Sequence, residues 1–335
     1  MTVKVDGQEK RIGLSLSGGG FRAAGFHLGV FRKLQELGIL WKIDLLTCVS
    51  GGSIAGAYIA TRWGDDSVLD DLEEYLATKS IDIETTLGGI FNPFESRTDA
   101  LASSYEDDLF GSKVLDELKD GPRIYLNATN LATGNMFFFV AGGGDKSEMG
   151  EHELGVVDAP NFQISKAVAA SSAFPPVYPP LKVKKKHYDV PNVEYVGLTD
   201  GGVYDNLGVN PLLRATRNKL DYSITSDAGK PFELDETPTG SSVAVLKESI
   251  NIMMEQVRGQ QFQRLFWQHN AKAGPKPVWF SIDSNEGEIE EDDSAFASSI
   301  STRLKKLNKH EMAVLIRHGG ALTEARLKKY SPELI

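Results

Sequence analysis

Residues 11–16 and 43–49 are short apolar runs, and each leads at once into a glycine-rich turn and then into a helical period. The first run is followed by Ser17-Gly18-Gly19-Gly20 and by residues 22–37, with Phe26, Val30, Leu34 and Leu37 on one helical face. Gly38 stands where a helix end favours a left-handed residue. The second run is followed by Ser50-Gly51-Gly52-Ser53 and a helix from Ser53 to Trp63, stopped before Gly64. Strand, helix, strand, helix in such a short span predicts an α/β fold with the two strands as parallel neighbours. Their C-terminal ends then meet on one sheet edge, which is where open α/β sheets bind ligands.

Further strands are expected at Arg123–Ala128, Met136–Ala141 and Val193–Leu198, and a helix over 161–173 that ends at the prolines of 175–180. Residues 65–120 read as helical. Val243, Leu246, Ile250, Met253 and Val257 predict a long amphipathic helix whose stripe packs in the core, with a membrane- or partner-facing stripe as the alternative. Acidic residues 286–293 read as a solvated loop; Glu288 occupies the position where a calcium loop headed by Asp283 needs glycine. With no repeat, linker or composition break, residues 1–335 are expected to form a single domain, its motifs within about 10–230 and a helical extension over 231–335.

A net charge of −10 argues against broad nucleic-acid binding, which needs a basic face. The dense basic run Lys182-Val183-Lys184-Lys185-Lys186-His187 reads as the solvated tip or face of a hairpin, or as a patch for anionic headgroups. No stretch is long and apolar enough to span a bilayer, and Met1 to Arg11 lack a signal-peptide core. The lone Cys48 excludes an internal disulfide and fits a reducing cytoplasm.

The two turns carry complementary chemistry. Gly18, Gly19 and Gly20 offer backbone N–H groups at a helix N-terminus, suited to a developing oxyanion. Ser50 ends its strand directly, where a tight turn pushes the side chain outward; Ser53, one helical turn on, is the other candidate nucleophile. Gly18-x-Gly20-x-x-Ala23 also fits a dinucleotide turn, but the second strand ends in Val49-Ser50 rather than in the acid that would hold a ribose. A proton acceptor is needed, and none of the six histidines stands in a suggestive turn; His27 reads as a packed or half-exposed helix residue. Asp200, after an apolar strand and before Gly201-Gly202, is better placed, with Asp205 its rival. Arg22 is either a contact for an anionic headgroup or a plain surface arginine.

Ser17-Gly18-Gly19-Gly20-Phe21-Arg22-Ala23, Val49-Ser50-Gly51-Gly52-Ser53 and Thr199-Asp200-Gly201-Gly202 together resemble the patatin-like phospholipases, and the first is similar to the corresponding run of the cytosolic group IV phospholipases A2. Two weaker segments agree, Asn127 to Phe139 and Ala169 to Pro180. The resemblance departs at Cys48, where the family's Gly-x-Ser-x-Gly has its first glycine. It implies a three-layer α/β/α sandwich and a Ser–Asp dyad without histidine that cleaves acyl esters of lipids. Ser50 would be the nucleophile and Asp200 the base, with Gly18, Gly19, Gly20 and Gly51 as the oxyanion hole and Arg22 contacting phosphate. No cofactor or metal is implied. The expected partner is a lipid, a phospholipid or neutral acyl glycerol, met during transient membrane-surface contact by a cytoplasmic protein. A lipid-binding protein without turnover is the rival class.

Overall fold

The computed structural model describes residues 3–81, 96–232 and 240–335. A small hairpin of β1 (Val3–Val5) and β2 (Gln8–Lys10) leads into β3 (Ile12–Leu16), which runs straight into α1 (Gly20–Glu36). Gly38 closes that helix at φ 68°, a backbone state that only glycine adopts without strain. Then come β4 (Leu45–Val49), α2 (Gly51–Ala60), α3 (Val68–Thr78) and α4 (Arg97–Tyr105). The helical reading of 65–120 therefore holds for most of the described part, with Val114 instead bridging Gln163, and residues 82–95 lie outside the described residues.

The chain continues through β5 (Arg123–Asn130), β6 (Met136–Ala141), β7 (Glu148–Glu151), β8 (Gly155–Asp158) and α5 (Ile164–Ser171) to the hairpin of β9 (Leu181–Lys184) and β10 (Tyr195–Asp200). It closes with β11 (Tyr222–Asp227), α6 (Ser242–Asn270), β12 (Lys276–Ser281) and α7 (Lys309–Tyr330). The main sheet runs β12-β11-β3-β4-β5-β6-β7-β8. From β12 to β5 every neighbour pair is parallel, and from β5 to β8 every pair is antiparallel. The stretch after 231, expected to be helical, thus also supplies β12.

Strand residues alternate between two cores, as a period of two requires. Leu14, Leu46, Cys48, Leu126, Ile224 and Phe280 join the larger core with residues of α1, α2, α3 and α7. Leu45, Tyr125, Phe138 and Val140 point the other way and pack with Leu207, Leu212 and Leu265 of α6. Helices on both faces of one sheet make the α/β/α sandwich.

Two surface readings change. Among the described side chains of α6 only Leu265 is buried, while Leu246 and Met253 lie exposed; the stripe is not core, and the Val243 side chain lies outside the described residues. The acidic loop is tied down rather than merely solvated. Glu290 and Asp293 pair with Arg317, and Glu286 with Arg326 and Lys329, all three cations on α7.

Candidate active site

β4 leaves its neighbour β5 at the Val49–Asn127 pair. One residue later β10 takes over that side of β5, running the opposite way, with Asp200 opposite Ala128. Two strand ends therefore meet head-on, bringing Ser50 and Asp200 together although 150 residues (200 minus 50) separate them in sequence. Gly201 makes the close join possible, since a Cβ there would collide with the Asn127 carbonyl.

Ser50 sits at φ 52° and ψ −116°, a conformation that side-chain-bearing residues rarely adopt. The strain is held by packing. Gly51 lies so close to the Gly20 carbonyl, and Gly52 to the Leu16 carbonyl, that a Cβ on either would clash. Cys48 nests against Gly56, one helical turn into α2, and that glycine makes room for the side chain that replaces the family's first motif glycine. Its thiol is fully buried, and burial pushes the thiol pKa far up, so it stays protonated.

A hydroxyl network fixes which serine points outward. Ser50 N–H donates to Ser171 Oγ at 3.0 Å, and Ser171 Oγ–H donates to the Asn127 carbonyl at 2.6 Å. Ser171 has thereby spent its proton, so Ser53 Oγ, 2.8 Å away, must be the donor to it. Ser53 is buried and engaged; Ser50 is half-exposed. Ser171 lay within a recognised segment, but nothing in its spacing announced this role.

Asp200 is almost wholly buried. Its Oδ1 accepts the Gly202 N–H at 2.7 Å, while Oδ2 has no aligned hydrogen bond. Desolvation raises its pKa to about 7, and the Gly202 N–H and the nearby Ser50 hydroxyl pull the other way without cancelling it. Asp205, the rival, is spent on structure: it accepts the N–H groups of Gly208 and Asn210 and the Asn210 side chain.

The glycine turn divides into parts. Gly18 N–H donates to the Asn206 carbonyl at 3.2 Å, so the expectation that Gly18 is an oxyanion donor fails. Its lack of a side chain matters for a different reason, because a Cβ there would meet the Asn206 side-chain oxygen and sit 3.2 Å from Ser50 Cβ. Gly19 and Gly20 adopt φ 146° and 62°. Among the described residues, the N–H groups of Gly19, Gly20 and Gly51 have no partner. Three donors beside a strained serine and a buried carboxylate can stabilise an oxyanion formed on the serine's target.

Arg22 is fully buried, which overturns its reading as a headgroup contact or a surface residue. Its guanidinium donates to the Ile300 and Ala228 carbonyls at 2.8 and 2.9 Å. With Phe21 N–H on the Arg303 carbonyl and Ala228 N–H on Ser17 Oγ, it clamps the glycine turn to the chain's C-terminal third. His27 supports the turn from below. Its Nε2 donates to the Ser17 carbonyl at 3.0 Å and its Nδ1 accepts from Ser226 Oγ at 2.9 Å. Burial lowers its pKa to about 4, so the ring is neutral and structural.

The family model described as patatin-like phospholipase matches residues 14–213, which contain every residue of this arrangement up to Asp200 and its turn. The chain belongs to the patatin-like phospholipase family. The structure of human GIVD cytosolic phospholipase A2 superposes with a TM-score of 0.62 at 13% identity, covering 97% of this chain and 63% of that one. The same human enzyme in complex with methyl gamma-linolenyl fluorophosphonate gives a TM-score of 0.55, again at 13% identity, covering 97% of this chain and 59% of that one. At such identity the likeness is one of fold, and this patatin-like chain spans less than two thirds of the human enzyme's length. No curated protein matches it in sequence.

Proposed function

We propose that this patatin-like protein is a serine acyl hydrolase that cleaves acyl esters of lipids with a Ser50–Asp200 dyad. The observation that carries the reading is the meeting of a strained, half-exposed serine with a buried carboxylate whose pKa lies near 7. An ionised Asp200 takes the Ser50 proton as Ser50 Oγ attacks the ester carbonyl carbon. The carbonyl oxygen takes the negative charge and rests on the N–H groups of Gly19, Gly20 and Gly51. Collapse of this intermediate breaks the ester C–O bond, and protonated Asp200 returns its proton to the leaving alcohol. Water, deprotonated by Asp200, then attacks the acyl-Ser50 carbonyl; the bond from the acyl carbon to Ser50 Oγ breaks, Asp200 returns its proton to that oxygen, and the fatty acid leaves. A pKa near neutrality suits a group that must both take and return a proton.

The substrate is a glycerophospholipid or neutral acyl glycerol, met in transient contact with a membrane surface, and residues 1–335 act as one domain. A cytoplasmic setting fits the single buried cysteine. Among the described residues no helix is long and apolar enough to cross a membrane. Labelling with a fluorophosphonate probe tests the reading: wild type and Ser53→Ala label, Ser50→Ala does not. A wild type that binds lipid but never labels, and never releases fatty acid, belongs to the binding class instead.

A further inference from the structure

Two structures rise past the sheet edge that holds Ser50 and Asp200, one basic and one apolar. The first is the β9–β10 hairpin. β10 overshoots the end of β5, with Leu131 N–H donating to the Gly197 carbonyl at 3.0 Å. Tyr195 stands five residues beyond Asp200, roughly 17 Å further out at strand rise. Leu181 and Val183 point inward and are buried. Lys182 and Lys184 point outward on the face they share with Tyr195; Lys184 is its cross-strand partner and Lys182 Nζ lies 5.2 Å from its ring centre. Lys185 and Lys186 continue the run, exposed, and Lys166 bears on His187 from α5. Asp189 and Glu194 are the acids of the same hairpin, and the four lysines outnumber them. Among the described residues those four lysines form no ion pair.

The second is the N-terminal half of α6. Met254 packs against Gly202, two residues from Asp200; further along the helix Arg258 pairs with Asp227 at the end of β11, and Phe262 packs on Trp279 within β12. The helix therefore runs along the strands, and the residues before Met254 extend roughly 18 Å past the edge. Val245, Leu246, Ile252 and Met253 lie on one face of that projection, two turns apart, and are 48%, 55%, 47% and 59% exposed. Leu131 and Tyr195 on the other side are 56% and 52% exposed.

We propose that this edge is the docking face for an anionic lipid bilayer, with the lysines of the β9–β10 hairpin on the headgroups and the α6 projection inserted among the upper acyl chains. The inference rests on the lipid-hydrolase reading for its choice of a lipid partner. Charge complementarity selects the lipid class. A chain of net charge −10 meets an anionic surface favourably only where its cations cluster, and the β9–β10 hairpin is such a place beside the site. A neutral bilayer would leave the four lysines without a role. The site between the two projections would then open directly onto the headgroup layer.

Co-sedimentation with phosphatidylcholine vesicles, with and without phosphatidylserine, tests this at low and high salt. Wild type is expected to bind the phosphatidylserine vesicles and to release them as salt rises. Lys184→Glu/Lys185→Glu/Lys186→Glu should bind them more weakly by a factor on the order of a hundred. Leu246→Ser/Met253→Ser should lose the salt-resistant part of binding. Both variants should keep the wild-type rate on a short soluble ester. Equal binding of wild type to both vesicle types, or wild-type binding by the triple variant, overturns the proposal. A wild type that binds the anionic vesicles yet turns over no ester would refute the hydrolase reading and leave the docking face standing.

Discussion

Ser171 Oγ accepts the backbone N–H of Ser50 at 3.0 Å, so the α5 serine holds the strained turn of the candidate nucleophile from outside its own helix. Ser171→Ala leaves the Ser50 N–H and the Ser53 hydroxyl without their buried acceptor and the Asn127 carbonyl without its donor. Stability should fall by about 1–3 kcal/mol. The rate constant kcat on a soluble ester should fall with KM little changed, because the loss is in positioning. Thermal melts beside steady-state kinetics read both; an unchanged kcat would mean the turn does not need this prop.

With Asp200 as the proposed base, its carboxyl should set the pH profile. The base must be ionised, and burial raises its pKa to about 7, so kcat/KM should climb tenfold per pH unit below that value and level off above it. A plateau already reached at pH 5 would rule out Asp200 as the titrating base.

The same burial costs stability. A carboxyl whose folded pKa is raised contributes stability that is complete below its unfolded pKa, near 4, and is lost as pH rises through about 7. Asp200→Asn removes that loss while keeping the shape. The variant should therefore melt higher than wild type at pH 8, by a few kcal/mol in stability at most, and match it near pH 4. It should also be inactive, and a variant less stable than wild type at pH 8 would count against the desolvated carboxylate.

Arg22 offers a test of its buried role. Arg22→Lys cannot reach the Ile300 and Ala228 carbonyls together with one ammonium. Activity should fall by a similar factor on phospholipid and on uncharged acyl glycerol, with a drop in melting temperature. A loss confined to phosphate-bearing substrate would return Arg22 to headgroup recognition.

Of the three glycines in the turn, Gly20 makes the closest approach to main-chain atoms. At φ 62°, a Cβ there would lie 2.6 Å from the Arg303 carbonyl oxygen. Gly20→Ala should displace the free N–H donors and cost about 10²–10³ in kcat, the usual scale for a lost oxyanion donor. Near-normal kcat would place the oxyanion elsewhere.

The sequence made the parallel β3–α1–β4–α2 unit readable because short apolar runs and helical periods alternate there without interruption. Ser50 was legible as the residue directly after a strand, and Asp200 as an acid between a strand and paired glycines. Sequence alone left Ser53 and Asp205 open, since a serine in a first helical turn and an acid beside a turn carry no mark of their partners. Those partners, Ser171 and Asn210, become visible only when α5 and the 205–210 turn pack against the strand ends. Arg22 and Gly18 misled for the same reason. Both sit in a motif that faces the site, yet their bonds go to Ile300, Ala228 and Asn206, distant in the chain. The α6 stripe misled through length: a helix much longer than the strands beside it cannot bury its whole apolar face.

Cys48 nested on Gly56 gives the molecule an internal clock. No reagent can reach that thiol while β4 and α2 stay together, so its alkylation rate counts the openings of the turn that holds Ser50. Ligands that rigidify the site should slow the count, even when they leave no spectroscopic trace.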